Sequence, residues 1–169
     1  MAKQYTREEV KARLQQQIDA GKPIIIAGAG TGISGKFAEQ GGVDLIGVYN
    51  SGLFRMDGKG SLAGLMPYGD ANQIVIDLAN RVFPVIKETP MIAGICGTDP
   101  TRDMRYYLKQ LKELGFSAVM NFPTVGLIDG RFRQELEDTG MGYSVEIETL
   151  KLAKELGFFT LGYAFNVEE

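Results

Sequence analysis

Apolar residues fall along this chain in two alternating patterns. Short, continuous, β-branched-rich runs occur at 23–27, 44–49, 90–95, 117–120 and 158–163. Runs of that length without polar alternation suit strands buried on both faces, as in parallel sheets. Between them lie stretches with helical spacing. Val10, Leu14 and Ile18 recur at intervals of four behind Thr6-Arg7-Glu8-Glu9, which reads as a capping box, and Gly21 closes that segment. Residues 34–40 predict a short helix after a glycine-rich turn at 28–32. Asp70 reads as the N-cap of a helix over 71–86 with Ile74, Leu78 and Val82 on one face. Asp99-Pro100 predicts a helix start that runs to Leu114, and Ser144 predicts a cap for a helix to Leu156. Residues 50–69 and 121–143 read as long loops.

After a lead-in helix over 1–22, strand and helix alternate five times. That rhythm implies parallel pairing through right-handed crossovers in a single domain, 1–169. Leu111-Lys112-Glu113-Leu114-Gly115-Phe116 is echoed by Ala153-Lys154-Glu155-Leu156-Gly157-Phe158, each closing a helix and opening a strand. Repeats of this kind fit a (β/α)8 barrel or an open doubly wound sheet. A whole barrel needs ~250 residues, and the chain has 169. The expectation is therefore an α/β chain holding about the first five βα units of a TIM barrel. Its open edges would be covered by a missing remainder or by another copy in a homo-oligomer.

Composition narrows the partners. With 18 basic and 21 acidic residues, net charge −3 and no basic block, the chain lacks the electrostatic footprint of a nucleic-acid binder. No apolar stretch approaches the ~20 residues that span a bilayer, and the first residues have no signal-like apolar core. One cysteine, Cys96, excludes an internal disulfide, and a cytoplasmic location is expected. There is no histidine. Chemistry would fall to carboxylates, Lys, Tyr, Cys, hydroxyls or backbone amides, or to residues beyond the end of the chain.

Candidate chemistry gathers just after the strands. Gly28-Ala29-Gly30-Thr31-Gly32-Ile33-Ser34-Gly35-Lys36 nearly fits two phosphate motifs. For a P-loop, Phe37 stands where a Ser or Thr is needed; for a dinucleotide fingerprint, the second strand ends in Tyr49-Asn50 without the acidic residue. What remains is a loop whose amides hold an anion through Gly28, Gly30, Thr31 and Gly32, or a tight turn only. Asn50, Ser51 and Arg55 follow the second strand and suit an acidic substrate. Cys96 follows the third, as a nucleophile or a small buried thiol. Asn121 and Thr124 follow the fourth, as hydrogen-bonding groups. Asp99 reads as a cap, and Glu146 and Glu148 as first-turn acids explained by the helix dipole. No metal-ligand set stands out.

Seven segments occur in order: 28–34, 49–52, 60–64, 67–72, 94–100, 121–130 and 137–143. Together they resemble the phosphoenolpyruvate hydrolase-like TIM-barrel family over residues 5–166. The resemblance implies a barrel of the phosphoenolpyruvate mutase and isocitrate lyase kind. Such barrels act on small 2-oxo or enol carboxylates, usually with a divalent metal such as Mg2+. It implies that His-containing motifs lie on later strands, past the end of this chain. On that basis the expectation is a hydrolase or lyase that stabilises an enolate, with Asn50, Asn121 and Cys96 as catalytic candidates. The alternative is a non-catalytic binding or regulatory barrel.

Overall fold

Five short parallel strands form one sheet in the order of the chain: β1 (Ile26–Gly28), β2 (Leu45–Val48), β3 (Met91–Gly94), β4 (Ala118–Met120) and β5 (Phe159–Leu161). They are seen in a computed structural model that describes residues 2–167 and 169. Sequential order without a reversal point is the topology of a barrel wall rather than of a doubly wound sheet. The fold is α/β of the TIM-barrel type, with five strands of the wall present.

Register sorts the strand residues into two faces. Leu45, Ile92, Ala118, Met120, Phe159 and Leu161 share the inner face and pack with Val10 and Leu14 of α1 (Arg7–Asp19). The outer-face residues Ile46, Val48, Met91, Ala93 and Val119 pack under α4 (Ala71–Val82), α5 (Met104–Leu114) and α7 (Tyr143–Glu155). Most of these side chains are fully buried. Each fully buried Leu, Ile, Val or Met among them contributes roughly 1.5–3 kcal/mol relative to exposure. α1 begins at the expected capping box, where Glu9 N–H donates to Thr6 Oγ1 and Thr6 N–H to Glu9 Oε2 at 2.7 Å.

Several expectations shift. The first strand lies later than 23–27, and Ile24, Ile25 and Ile26 are 39, 51 and 38% exposed. The reason is position: β1 is an edge strand and has a neighbour on one side only. The expected loop at 50–69 holds α3 (Asn50–Met56) and a 3-10 turn over Ser61–Leu65. The loop at 121–143 likewise holds a 3-10 turn (Val125–Leu127) and α6 (Gly130–Asp138). α4 stops at Val82 and passes into a 3-10 turn, because Pro84 has no N–H to continue it. α5 begins at Met104 with Asp103 as N-cap, not at Asp99. α7 is preceded by Gly142 rather than capped by Ser144.

Candidate functional site

The carboxyl ends of β2, β3 and β4 open into a cavity of about 640 Å3. That is the size of pocket that takes a small ligand, and the end of a barrel at which ligands bind. Its polar lining includes Asn50, Cys96, Thr98, Asp99, Arg102 and Thr124, and Asp70 stands beside Arg102.

Asn50 opens α3 at the end of β2 and is buried. Its Nδ2 donates to the Gly64 carbonyl at 2.7 Å, which fixes the amide orientation, since a carbonyl only accepts. Its Oδ1 and the Ser51 hydroxyl are then buried without a hydrogen-bond partner among the described residues. Both lie beneath the Ser61–Leu65 turn, so close that a methyl group at Gly64 would press on both residues.

The wall after β3 is a charged network. Asp99 accepts from the Thr101 amide and hydroxyl, from Asn72 Nδ2 at 2.9 Å and from Arg102 at 2.8 Å. Arg102 also donates to Asp70 at 2.8 Å. Burial pushes the Asp99 carboxyl up, but the bonds from Thr101, Asn72 and Arg102 outweigh it and hold it at about 2. Asp70 is also lowered: burial is outweighed by Arg102 and the Gln73 amide. Asn72, fully buried on α4, ties the network to the strand end. Its Oδ1 accepts from Cys96 N–H, its Nδ2 donates to the Cys96 carbonyl, and its own carbonyl accepts from Tyr107 Oη. Cys96 is half-buried. Burial pushes its thiol up, against a weaker opposing bond with Thr98, so it is a neutral thiol near pH 7.

Behind the wall after β4 lies a second network. Asn121 donates to Glu146 Oε2 at 2.7 Å and accepts from Tyr163 N–H at 2.7 Å. The Val125 amide donates to Glu146 Oε1 at 2.8 Å, and Tyr143 Oη donates to the Tyr163 carbonyl. Glu146 is 1% exposed. Burial raises its carboxyl, and the bonds from Val125, Thr124 and Asn121 only partly counter this.

Of the residues singled out in the sequence, Asn50, Cys96 and Thr124 meet at the cavity. Asn121 stands behind its wall, committed to Glu146 and Tyr163. Ser51 is buried beside Asn50 but does not line the space. Arg55 lies apart, exposed on α3, where it donates to Tyr49 Oη at 2.6 Å. The glycine-rich loop is also elsewhere. Thr31 is the N-cap of α2 (Gly32–Gln40), and Gly30 crosses the backbone of Gly52 so closely that a methyl group would overlap the Gly52 carbonyl. A side chain at Gly28 would strike Tyr49 and Arg55, and one at Gly32 would crowd the Arg81 carbonyl. Close packing accounts for all three glycines. Asp70, Thr98 and Arg102 were not singled out for this site, nor was Glu146 as a buried group. Glu146 did carry a signal: it shares the 3- and 4-residue spacing of Tyr143, Leu150 and Ala153 on the buried face of α7.

A divalent metal fits this donor set poorly. Among the described residues, no group of three or more His, Cys, Asp or Glu could hold one. The two carboxylates at the cavity, Asp70 and Asp99, are both engaged by Arg102. Magnesium wants several oxygen ligands in near-octahedral array. No helix of the described residues is long and apolar enough to cross a membrane.

Known proteins resemble this chain in both sequence and shape. Two proteins of Solanum lycopersicum are similar to it. The ToMV resistance protein Tm-1(GCR237) is 59% identical over 163 residues, covering 96% of this chain and 22% of that protein. The ToMV susceptible protein tm-1(GCR26) is 60% identical over 157 residues, covering 93% and 21%. The chain thus spans about a fifth of the length of these curated relatives. A phosphonopyruvate hydrolase solved with oxalate and Mg2+ has a similar fold, with TM-score 0.50 at 17% identity, covering 95% of this chain and 64% of that one. The family model for phosphoenolpyruvate hydrolase-like proteins matches residues 9–169. Since that match takes in all five strands and the whole cavity, the chain belongs to the phosphoenolpyruvate hydrolase-like family.

Proposed function

We propose that the cavity binds a small 2-oxo or enol carboxylic acid, and that the full-length protein is an enzyme of the phosphoenolpyruvate hydrolase and mutase kind. The observation that supports this most is the cavity itself, set at the strand ends with Thr98, Arg102 and Thr124 in its lining. A guanidinium has five N–H donors. Arg102 gives one to Asp99 and one to Asp70, which leaves others for a ligand carboxylate.

Calorimetric titration with pyruvate tests the reading. A dissociation constant at or below about 1 mM is expected, which corresponds to about −4 kcal/mol. Thr98→Val should weaken it severalfold. The same affinity is expected with and without Mg2+, because Arg102 occupies both cavity carboxylates. Absence of heat at ten times that concentration would sink the proposal.

A non-catalytic binding barrel is the second reading, and one observation favours it. Asp99 is held ionised and Cys96 is held as a neutral thiol, so neither stands near the pH at which a general acid or base works best. The reading predicts that this chain binds pyruvate yet releases no phosphate from phosphoenolpyruvate. Phosphate release above the protein-free rate would refute it. The tomato resistance and susceptible proteins match this chain almost equally, so likeness to them favours neither reading.

A further inference from the structure

The cavity is built for more than a three-carbon acid. We infer that its ligand carries a single negative charge beside an apolar body of several carbons, so that branched or aryl-substituted 2-oxo acids suit it and phosphorylated acids do not. This rests on the reading of the cavity as a carboxylic-acid site.

Three observations carry it. The first is lining: Leu65, Met66, Val125, Ile128, Phe132 and Met141 supply a large apolar share of the wall. Met66 and Phe132 stay 51 and 62% exposed at its mouth. Large apolar side chains held open to water beside a pocket mark a surface that gains by being covered. The second is size. At roughly 30 Å3 per water, 640 Å3 holds on the order of twenty waters. Oxalate or pyruvate, with six heavy atoms, would leave most of the apolar wall wet.

The third is charge. Among the described residues lining the cavity, Arg102 is the one cation, and it already faces Asp70 and Asp99, both of lowered pKa and so ionised at neutral pH. The lining therefore carries a formal net charge of −1, from two carboxylates and one guanidinium. Arg133, behind the turn after β4, is paired with Glu137 and Glu169. One ligand carboxylate can share the donors left on Arg102. A phosphoryl group adds two further charges with no unclaimed cation among the described lining residues to meet them, and like charges in a partly desolvated pocket repel strongly.

The test is a titration series on this chain with pyruvate, 4-methyl-2-oxopentanoate, phenylpyruvate and phosphoenolpyruvate. The branched and aryl acids should bind at least tenfold tighter than pyruvate, and phosphoenolpyruvate should bind weakest. Phe132→Ser should cut the aryl preference at least threefold and leave pyruvate affinity within twofold. Phe132 stands on α6, a helix with no buried residue, so its loss spares the fold. If pyruvate or phosphoenolpyruvate binds as tightly as phenylpyruvate, the inference is overturned while the acid site stands. If phenylpyruvate binds tighter but Phe132→Ser leaves the preference intact, the apolar wall is not its source and the inference is likewise overturned. If no acid of the series binds, the acid site falls with it.

Discussion

Asp99 and Glu146 serve adjacent strand ends, and each has every carboxylate oxygen engaged, yet they are driven in opposite directions. Asp99 is partly open to water and bonded to the Arg102 guanidinium. Glu146 is sealed, and its hydrogen-bond partners, the Asn121 amide, the Val125 N–H and Thr124, are all neutral. Hydrogen bonds to the charged form stabilise it in both places. At Asp99 the bonds from Thr101 and Asn72, with a smaller share from Arg102, outweigh desolvation, whereas at the sealed Glu146 burial outweighs its bonds. Counting partners does not settle the ionisation of a buried acid; how deeply it is buried decides what those partners must offset.

The largest effect should come from breaking the sealed member. Glu146→Ala leaves one N–H of the Asn121 amide and the Val125 N–H buried without acceptors. A loss of about 3 kcal/mol is expected in urea unfolding, at about 1–3 kcal/mol per orphaned group. A loss under 1 kcal/mol would mean that water or a rearranged loop replaces the carboxylate.

Asp99→Asn should cost less, about 1–2 kcal/mol, because the new amide still accepts from Thr101 but presents N–H groups to Arg102 and Asn72. An unchanged denaturation midpoint would show that the charge of Asp99 contributes nothing.

The smallest effect is the most diagnostic, because its sign differs between the two acids. Asp99 has a depressed folded-state value, so its stabilisation is present above its ordinary value of 3.8 and disappears as pH falls from there to about 2. The gap between the wild type and Asp99→Asn should thus narrow in that window, by about 1 kcal/mol after solvent screening. Glu146 has a raised value. Its favourable contribution is complete below its ordinary 4.5 and declines as pH climbs from there through the folded value. Relative to Glu146→Gln, the wild type should therefore lose stability as pH rises above 4.5. Parallel slopes for the two pairs would overturn the contrast.

Legibility in the sequence followed the range of the interactions. Thr6 and Asp70 were readable as caps because a cap bonds an amide three residues away. The strand order was readable from repeated βα punctuation. Asp99 misled because Asp-Pro is also a helix-start signal; Arg102 is only three residues on, but Asn72 and Asp70, which complete the network, are brought in by tertiary packing. α3 was hidden because Asn50-Ser51-Gly52 has turn-like composition, and only packing against the neighbouring loops makes it helical. The glycine-rich loop was ambiguous for a related reason: glycine signals that a backbone comes close to something, and the sequence does not say whether that is a phosphate or, as at Gly30, another stretch of chain.

The crossing of Gly30 over Gly52 also divides the mouth into frozen and adjustable parts. A loop and a helical turn that touch main chain to main chain have no side chain with which to absorb a change, so a substitution in one cannot be rescued by trimming the other. Directed variation of ligand preference therefore belongs in the segments after β3 and β4, where side chains line the cavity. A library at residue 30 should return glycine and one at 52 only the smallest side chains, while one at 128, 132 and 141 should tolerate wide diversity.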